Sequence, residues 1–216
     1  MIWDKLRNFK KECIASFDQI EDDRLLTLDK MIKYLADNIK SHGSASIQFI
    51  CTHNSRRSQL SQVWMEAAMT HYAMNDVQVF SGGTEVTAFH ANAITALANA
   101  GMKIIPLGDA DNPVIAIRYE LTVRPVYTFS KTFDHAVNPM NSFGAVMNCH
   151  HADANCPYIP NAETRFNLWY GDPGQFDGSP SQDQMYADVN RQIATEHLYI
   201  ASKLAVKLKK ASKTTK

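Results

Sequence analysis

Near the start of the chain, apolar residues recur at helical spacing, at Leu25, Leu28, Met31, Ile32, Leu35 and Ile39. A looser version of the stripe precedes it at Trp3, Leu6, Phe9, Ile14, Phe17 and Ile20. The pattern predicts helix over residues 1–44. Glu21, Asp22 and Asp23 suit the start of a second helix, where carboxylates favour the positive end of the dipole, and the segment 41–46 ends the helical region. Then the pattern changes. Residues 47–51 (IQFIC) form a continuous apolar run, 56–73 return to helical spacing, and 77–80 (VQVF) read as a strand closed by Ser81-Gly82-Gly83. Residues 89–101 read as a helix stopped by Gly101. Strand, helix, strand and helix in succession argue for a parallel α/β sheet.

The stretch 113–133 is rich in β-branched and aromatic residues and is interrupted at Arg124-Pro125, which predicts two strands, a hairpin added to the sheet or lying over it. Residues 143–149 (FGAVMNC) read as a further buried strand and 165–170 (RFNLWY) as the last one. A loop over 171–180 then leads to a long helix over 181–210, whose closing lysines read as a solvated helix end. The predicted organisation is a helical extension (1–44), an α/β domain (45–210) carrying the β-rich insertion, and a short basic tail (211–216).

Composition narrows the function. The chain has 216 residues, 45% of them hydrophobic and 20% charged, which suits one sizeable globular domain with an appendage and excludes a largely disordered chain. Lys and Arg total 22 against 22 Asp and Glu, too balanced for a protein that coats nucleic acid. No run of about 18 apolar residues predicts a membrane span. The first residues carry charges throughout and lack an apolar signal core, so the cytoplasm is the expected compartment. In that reducing setting the four cysteines, Cys13, Cys51, Cys149 and Cys156, do not read as a disulfide scaffold.

The most specific feature is CTHNSRRSQ over residues 51–59, placed between a buried strand and a helix. A tight strand-to-helix turn converges its backbone N–H groups on one point, and the helix N-terminus adds positive potential. A cysteine at the head of such a cradle is favoured as the thiolate, the nucleophilic form. Residues Thr52, His53, Asn54, Ser55, Arg56, Arg57 and Ser58 are the candidate oxyanion-binding set. Within it Arg57 can clamp a tetrahedral oxyanion bidentately, Ser58 can donate to the thiolate, and Asn54 suits a left-handed position.

Cysteine, five residues, arginine and serine form the signature of the cysteine-dependent phosphatases. The fuller motif resembles the low-molecular-weight protein tyrosine phosphatase superfamily and, within it, the thioredoxin-coupled arsenate reductases. The resemblance implies a flavodoxin-like three-layer sandwich around a central four-stranded parallel sheet. It covers roughly residues 46–110 and 143–205, not the first 44 residues or the insertion. SGGTE (81–85) resembles the SAGTE-like segment of the family and is expected to flank the cradle, with Ser81 near it. Asp172-Pro173, after the last predicted strand, matches the family's general acid. Gly174 and Gln175 follow where tyrosine phosphatases carry an aromatic residue, which argues against phosphotyrosine as the natural substrate.

NCHHADANCP (148–157) resembles the redox segment of the arsenate reductases, in which two cysteines, here Cys149 and Cys156, relay oxidation away from the nucleophile. His150, His151 and Asp153 could join these cysteines around zinc by residue type, but the spacing matches no common zinc pattern, and no metal or other cofactor is expected. Inside the cradle, His53 replaces the usual glycine and Arg56 stands where many relatives have a second cysteine. Some reductases of this family bind potassium through an asparagine and a glutamate. Asn54 matches the first, but Gln62 stands at the second, which argues against potassium here. The resemblance therefore implies reduction of arsenate by Cys51, Cys149 and Cys156, assisted by Arg57, Ser58 and Asp172 and regenerated by thioredoxin. The alternative is a low-molecular-weight phosphatase acting on phosphotyrosine or small phosphate esters. A non-enzymatic oxyanion sensor is the third reading. Cys13 matches no motif, and oligomeric state is left open.

Overall fold

The computed structural model describes residues 2–155 and 158–214. Helix α1 (Ile2–Ala15) and helix α2 (Asp22–His42) come first. They are separated by a short 3-10 turn over Phe17–Gln19, and the second begins at the acidic patch, where the start of a second helix was expected. The break falls where the apolar stripe loosens. Asp22 and Asp23 occupy the first turn of α2, and Gly43, at φ 80°, closes it in the left-handed conformation.

Strands β1 (Ala45–Cys51), β2 (Val77–Gly83), β6 (Phe143–Met147) and β7 (Ala162–Asn167) form one four-stranded sheet in the order β2-β1-β6-β7, with every pairing parallel. Helix α3 (Arg57–His71) is the crossover from β1 to β2. Because β1 is central, its side chains are buried on both faces. Ile47 and Phe49 enter the large core against α2, α3 and the long helix α6 (Gln182–Thr214), while Ile50 and Cys51 join a smaller core with Phe143, Ala145, Met147 and Ala152. The last strand ends at Asn167, but Leu168 and Tyr170 continue to donate backbone hydrogen bonds to Met147 and Asn148. Helix α6 continues through Thr214, into the segment predicted as a separate tail.

The insertion is a second, antiparallel sheet of three strands, β3 (Lys103–Leu107), β4 (Val114–Arg118) and β5 (Val126–Thr128), in the order β3-β4-β5. Two strands were expected over 113–133, and β4 and β5 are found there, paired antiparallel. The third, β3, contains Pro106, which weakens its strand signal and is tolerated because β3 lies at the sheet edge. Helix α4 (Ala91–Asn99) precedes this sheet, and a short helix α5 (His150–Asn155) follows β6. Among the described residues no helix is long and apolar enough to cross a membrane.

The N-terminal helices pack on the same core as the sheet. Leu6, Cys13, Leu28 and Leu35 are buried in one cluster with Leu60, Trp64 and Leu198. Phe9 stacks on Trp64 at 5.3 Å. Arg24 of α2 donates to both carboxylate oxygens of buried Glu196, at 2.9 and 2.6 Å, and Tyr170 donates to the same carboxylate at 2.7 Å. Removing Leu28, which is fully buried, is expected to cost about 2–5 kcal/mol as Leu28→Ala, whereas Leu26→Ala on the exposed side of the same helix stays within about 0.5 kcal/mol. Urea unfolding of the two variants checks the contrast.

His197 lies in the large core, with its Nδ1 2.6 Å from the Ile193 carbonyl. Burial pushes its pKa down from 6.5 to about 3, so the folded protein keeps this ring neutral. The unfolded chain takes up a proton through about pH 6.5 and the folded one only near 3. Stability is therefore lost progressively as pH falls through that window. Thermal melts between pH 7 and 4.5 are expected to show a shallower loss for His197→Gln than for the native chain.

Candidate active site

The carboxyl end of β1 delivers Cys51 to the sheet edge, where ligands of parallel sheets bind. Its sulfur lies 3.0 Å from Ser58 Oγ, and Ser58 in turn accepts a 2.8 Å hydrogen bond from the Asn54 side-chain nitrogen. Asn54 sits at φ 44°, a left-handed conformation that asparagine tolerates and most side chains do not. Its side-chain oxygen accepts from the backbone N–H of Lys131 at 3.0 Å and from Gln59 at 3.3 Å. Gln59 also donates to the Asn54 carbonyl at 3.0 Å, and its own oxygen accepts from Thr128 of β5. The turn is thus fastened to both α3 and the insertion sheet.

Neighbouring residues complete the loop. His53 is exposed, its Nε2 3.3 Å from Glu85, and its carbonyl accepts from the Ser130 hydroxyl at 2.8 Å. The Ser55 carbonyl accepts from the backbone of His90 at 2.9 Å, and the Thr52 carbonyl from that of Glu85 at 2.8 Å. Helix α3 begins at Arg57, so its unpaired first-turn N–H groups open onto the loop.

The two consecutive arginines diverge. Arg57 donates to Asp172 at 2.7 Å and to the Tyr170 carbonyl at 3.2 Å, which brings the predicted clamp and the predicted acid into one ion pair. Arg56 does not reach into the cradle, contrary to expectation. Its guanidinium donates to Tyr186 and to Asp177, both at 2.6 Å, and rests on Gly174, where an added Cβ would come within 2.8 Å of its carbon. The carboxylate of Asp177 offers a nearer, partly desolvated partner than an open cradle does. Burial works against that carboxylate's charge, yet hydrogen bonds from Tyr186, Asn92 and Arg56 hold its pKa below the usual range. Asp172 accepts from the backbone N–H of Gly174 at 3.1 Å, capping a short turn over Pro173–Phe176.

Cys149 lies just beyond the end of β6, which stops at Met147 rather than including the cysteine. It is buried, accepts from the Ala152 backbone at 3.3 Å, and lies 3.5 Å from the Thr52 hydroxyl. That hydroxyl is also 3.2 Å from His151 Nδ1. The segment expected as a loop begins with helix α5, so Cys149 sits at a helix start, against the side chain of the residue that follows Cys51. Cys156 lies outside the described residues. Ser81 is buried in β2 beside Phe49 of β1 and donates to Gln62 of α3 at 2.6 Å. Among the described residues no group of three or more His, Cys, Asp or Glu is placed to hold a metal ion.

Sequence reasoning passed over Lys131, Ser130, Asp177 and Tyr186, which belong to no local motif and reach the loop only through folding. Arg24 is another, because it donates to the Trp169 carbonyl at 2.6 Å and so ties α2 to the segment leading into Asp172.

The fold is that of the low-molecular-weight phosphatases. An arginine phosphatase from Geobacillus stearothermophilus superposes with a TM-score of 0.51 at 18% identity, covering 76% of this chain and 94% of its own. A low-molecular-weight phosphotyrosine phosphatase from Vibrio cholerae O395 gives 0.50 at 15% identity, covering 74% and 96%. No family model matches the chain. By sequence it is similar to arsenate reductases. The protein from Brevibacillus brevis is 29% identical over 129 residues, 59% of this chain and 76% of that protein, and the one from Staphylococcus aureus strain Newman is 28% identical over 130 residues, 59% and 78%. Fold and sequence agree on the superfamily of low-molecular-weight protein tyrosine phosphatases and arsenate reductases.

Gly83, opposite Cys51 in the sheet, lies against the loop, and a Cβ there would meet the Thr52 oxygen at 2.6 Å and the Asn54 nitrogen at 2.7 Å. Gly83→Ala must displace the loop backbone, a strain of roughly 1–3 kcal/mol. The expected result is oxyanion binding weakened by about tenfold, read by titration with inorganic phosphate.

Proposed function

We propose that this protein reduces arsenate to arsenite through a cysteine relay. The observation that carries the reading is the pair of buried thiols at one sheet edge, Cys51 against Ser58 and Cys149 against the side chain of Thr52, the residue after Cys51. A phosphatase needs only the first. The likeness to arsenate reductases supports the same choice.

In this proposal arsenate occupies the cradle of residues 52–58. The Cys51 thiolate attacks arsenic, an S–As bond forms, and an As–O bond breaks. Asp172 supplies the proton with which that oxygen leaves as water. Arg57 exchanges its hold on Asp172 for the oxyanion, which frees the carboxyl group to act as the acid. The Cys149 thiolate next attacks the Cys51 sulfur. The S–As bond breaks with its electron pair on arsenic, so arsenic(V) becomes arsenic(III) while two thiols become the Cys51–Cys149 disulfide. Cys156 then displaces Cys51 by thiol–disulfide exchange, and thioredoxin, as a dithiol, reduces the resulting Cys149–Cys156 bond. Such a cycle suits a reducing compartment, the cytoplasm. No bound cofactor enters it.

The low-molecular-weight phosphatase reading differs at one step, in which water instead of Cys149 attacks the Cys51 adduct. Cys149→Ser therefore separates the two. It is expected to abolish multiple-turnover arsenate reduction with thioredoxin and to leave hydrolysis of a phosphate ester within about twofold. Cys51→Ser is expected to remove both activities, a loss of at least about a thousandfold. Arsenate reduction by Cys149→Ser at the native rate would overturn the relay in favour of the phosphatase.

A further inference from the structure

Among the described residues Lys131 is the most heavily buried lysine, only 4% exposed. Its ammonium has no carboxylate within ion-pair distance among the described residues. The contacts of Nζ are long ones, 3.5 Å to Ser81 Oγ and 3.5 Å to the Phe129 carbonyl, with the Phe129 ring 5.0 Å away. It faces a cavity of about 510 Å³ between the insertion and the edge of β2, which Gln62, Glu66 and Arg124 also line. Glu66 belongs to α3 and Arg124 precedes β5, and these two charges oppose one another. Burial lowers the lysine pKa to about 8, which leaves the ammonium as the main form at neutral pH.

A buried charge without a counter-charge is costly, and a fold that keeps one usually places it where an opposite charge arrives. Three connections lead from Lys131 to the cradle. Its backbone N–H holds the Asn54 side chain, which holds Ser58, which touches Cys51. Its carbonyl accepts from Gly83, the sheet partner of Cys51. Its ammonium reaches Ser81, the sheet partner of Phe49, two residues before the nucleophile. The cradle rests on this residue from behind, and the anion it binds carries the charge that Lys131 lacks.

We infer that Lys131 is a positioning residue whose ammonium, supplied by the insertion, balances from beneath the loop the negative charge of the Cys51 thiolate and of the bound oxyanion. The inference rests on the reading of residues 51–58 as an oxyanion cradle. Its backbone hydrogen bonds do not depend on the side chain, so Lys131→Met removes the charge while leaving the fastening of Asn54 intact. In general, a unit charge acting over about 10 Å at an effective dielectric near 20 changes an equilibrium by about tenfold.

Two measurements test it without turnover. The first compares the rates at which anionic iodoacetate and neutral iodoacetamide alkylate Cys51, followed by mass spectrometry of the Cys51 peptide. A loosened loop would change both rates together. Loss of positive potential lowers the iodoacetate-to-iodoacetamide ratio, by up to about tenfold for Lys131→Met. The second measures sulfate affinity by calorimetry in Cys51→Ser with and without Lys131→Met, and a weakening of about tenfold is expected, with an unchanged or raised melting temperature. An unchanged reagent ratio together with unchanged sulfate affinity overturns the inference. Because neither readout involves arsenate chemistry, a failure of arsenate reduction in the native chain would sink the proposed reaction alone.

Discussion

The candidate site depends on the hydrogen bonds that converge on Asn54. The loop after β1 must hold a left-handed residue while directing its N–H groups inward, and neither condition is met by local propensity alone. The Asn54 side chain meets both demands at once. Its nitrogen fixes Ser58 against the Cys51 sulfur, and its oxygen gathers donors from Gln59 on α3 and from the backbone of Lys131. Each partner comes from a different part of the chain, so the geometry of the thiol's surroundings is set by how α3 and the insertion pack. The lost conformational freedom of a five-residue loop is offset by bonds made in a buried, weakly polarisable setting, where each is stronger than in water.

The acid loop is held by a different device. Arg56 and Arg57 leave the start of α3 in different directions and grip the segment 170–177 at two places, one on Asp172 and one on Asp177. Arg24 holds the same segment from the N-terminal side through the Trp169 carbonyl, while Glu196 anchors both Arg24 and Tyr170. The N-terminal helices therefore do more than cover apolar surface. They pack on α6 and steady the segment that delivers the predicted proton donor. Glu196 is almost fully buried, so its hydrogen bonds from Arg24, Tyr170 and Gln192 are needed to offset the loss of water.

The insertion acts in the same way from the opposite side. Its strands form a sheet of their own, yet β5 and the residues after it supply Thr128, Ser130 and Lys131 to the loop. A segment outside the stretches whose sequence resembles the superfamily thus reaches the part of the chain that resembles it most. The short apolar strand β4, between Val114 and Arg118, buries Ile115, Ala116 and Ile117, which gives the sheet the footing from which those polar residues extend.

The sequence by itself determined the order of the parallel-sheet elements, because continuous apolar runs and helical stripes differ in period. It also determined the cradle, because Cys51, Asn54, Arg57 and Ser58 lie within one turn, where spacing along the chain is nearly spacing in space. It did not reveal β3, since a proline blurs a periodic signal. Which way Arg56 points was decided by Asp177 and Tyr186, more than a hundred residues further on. The nearness of Cys149 to Thr52 came from the pairing of β1 with β6. Lys131 has no signature in a β-rich run, and only the folded chain turns it into a buried cation behind the nucleophile. Local geometry is written in neighbouring residues, whereas charge pairing and burial depend on surfaces that meet only after the chain has folded.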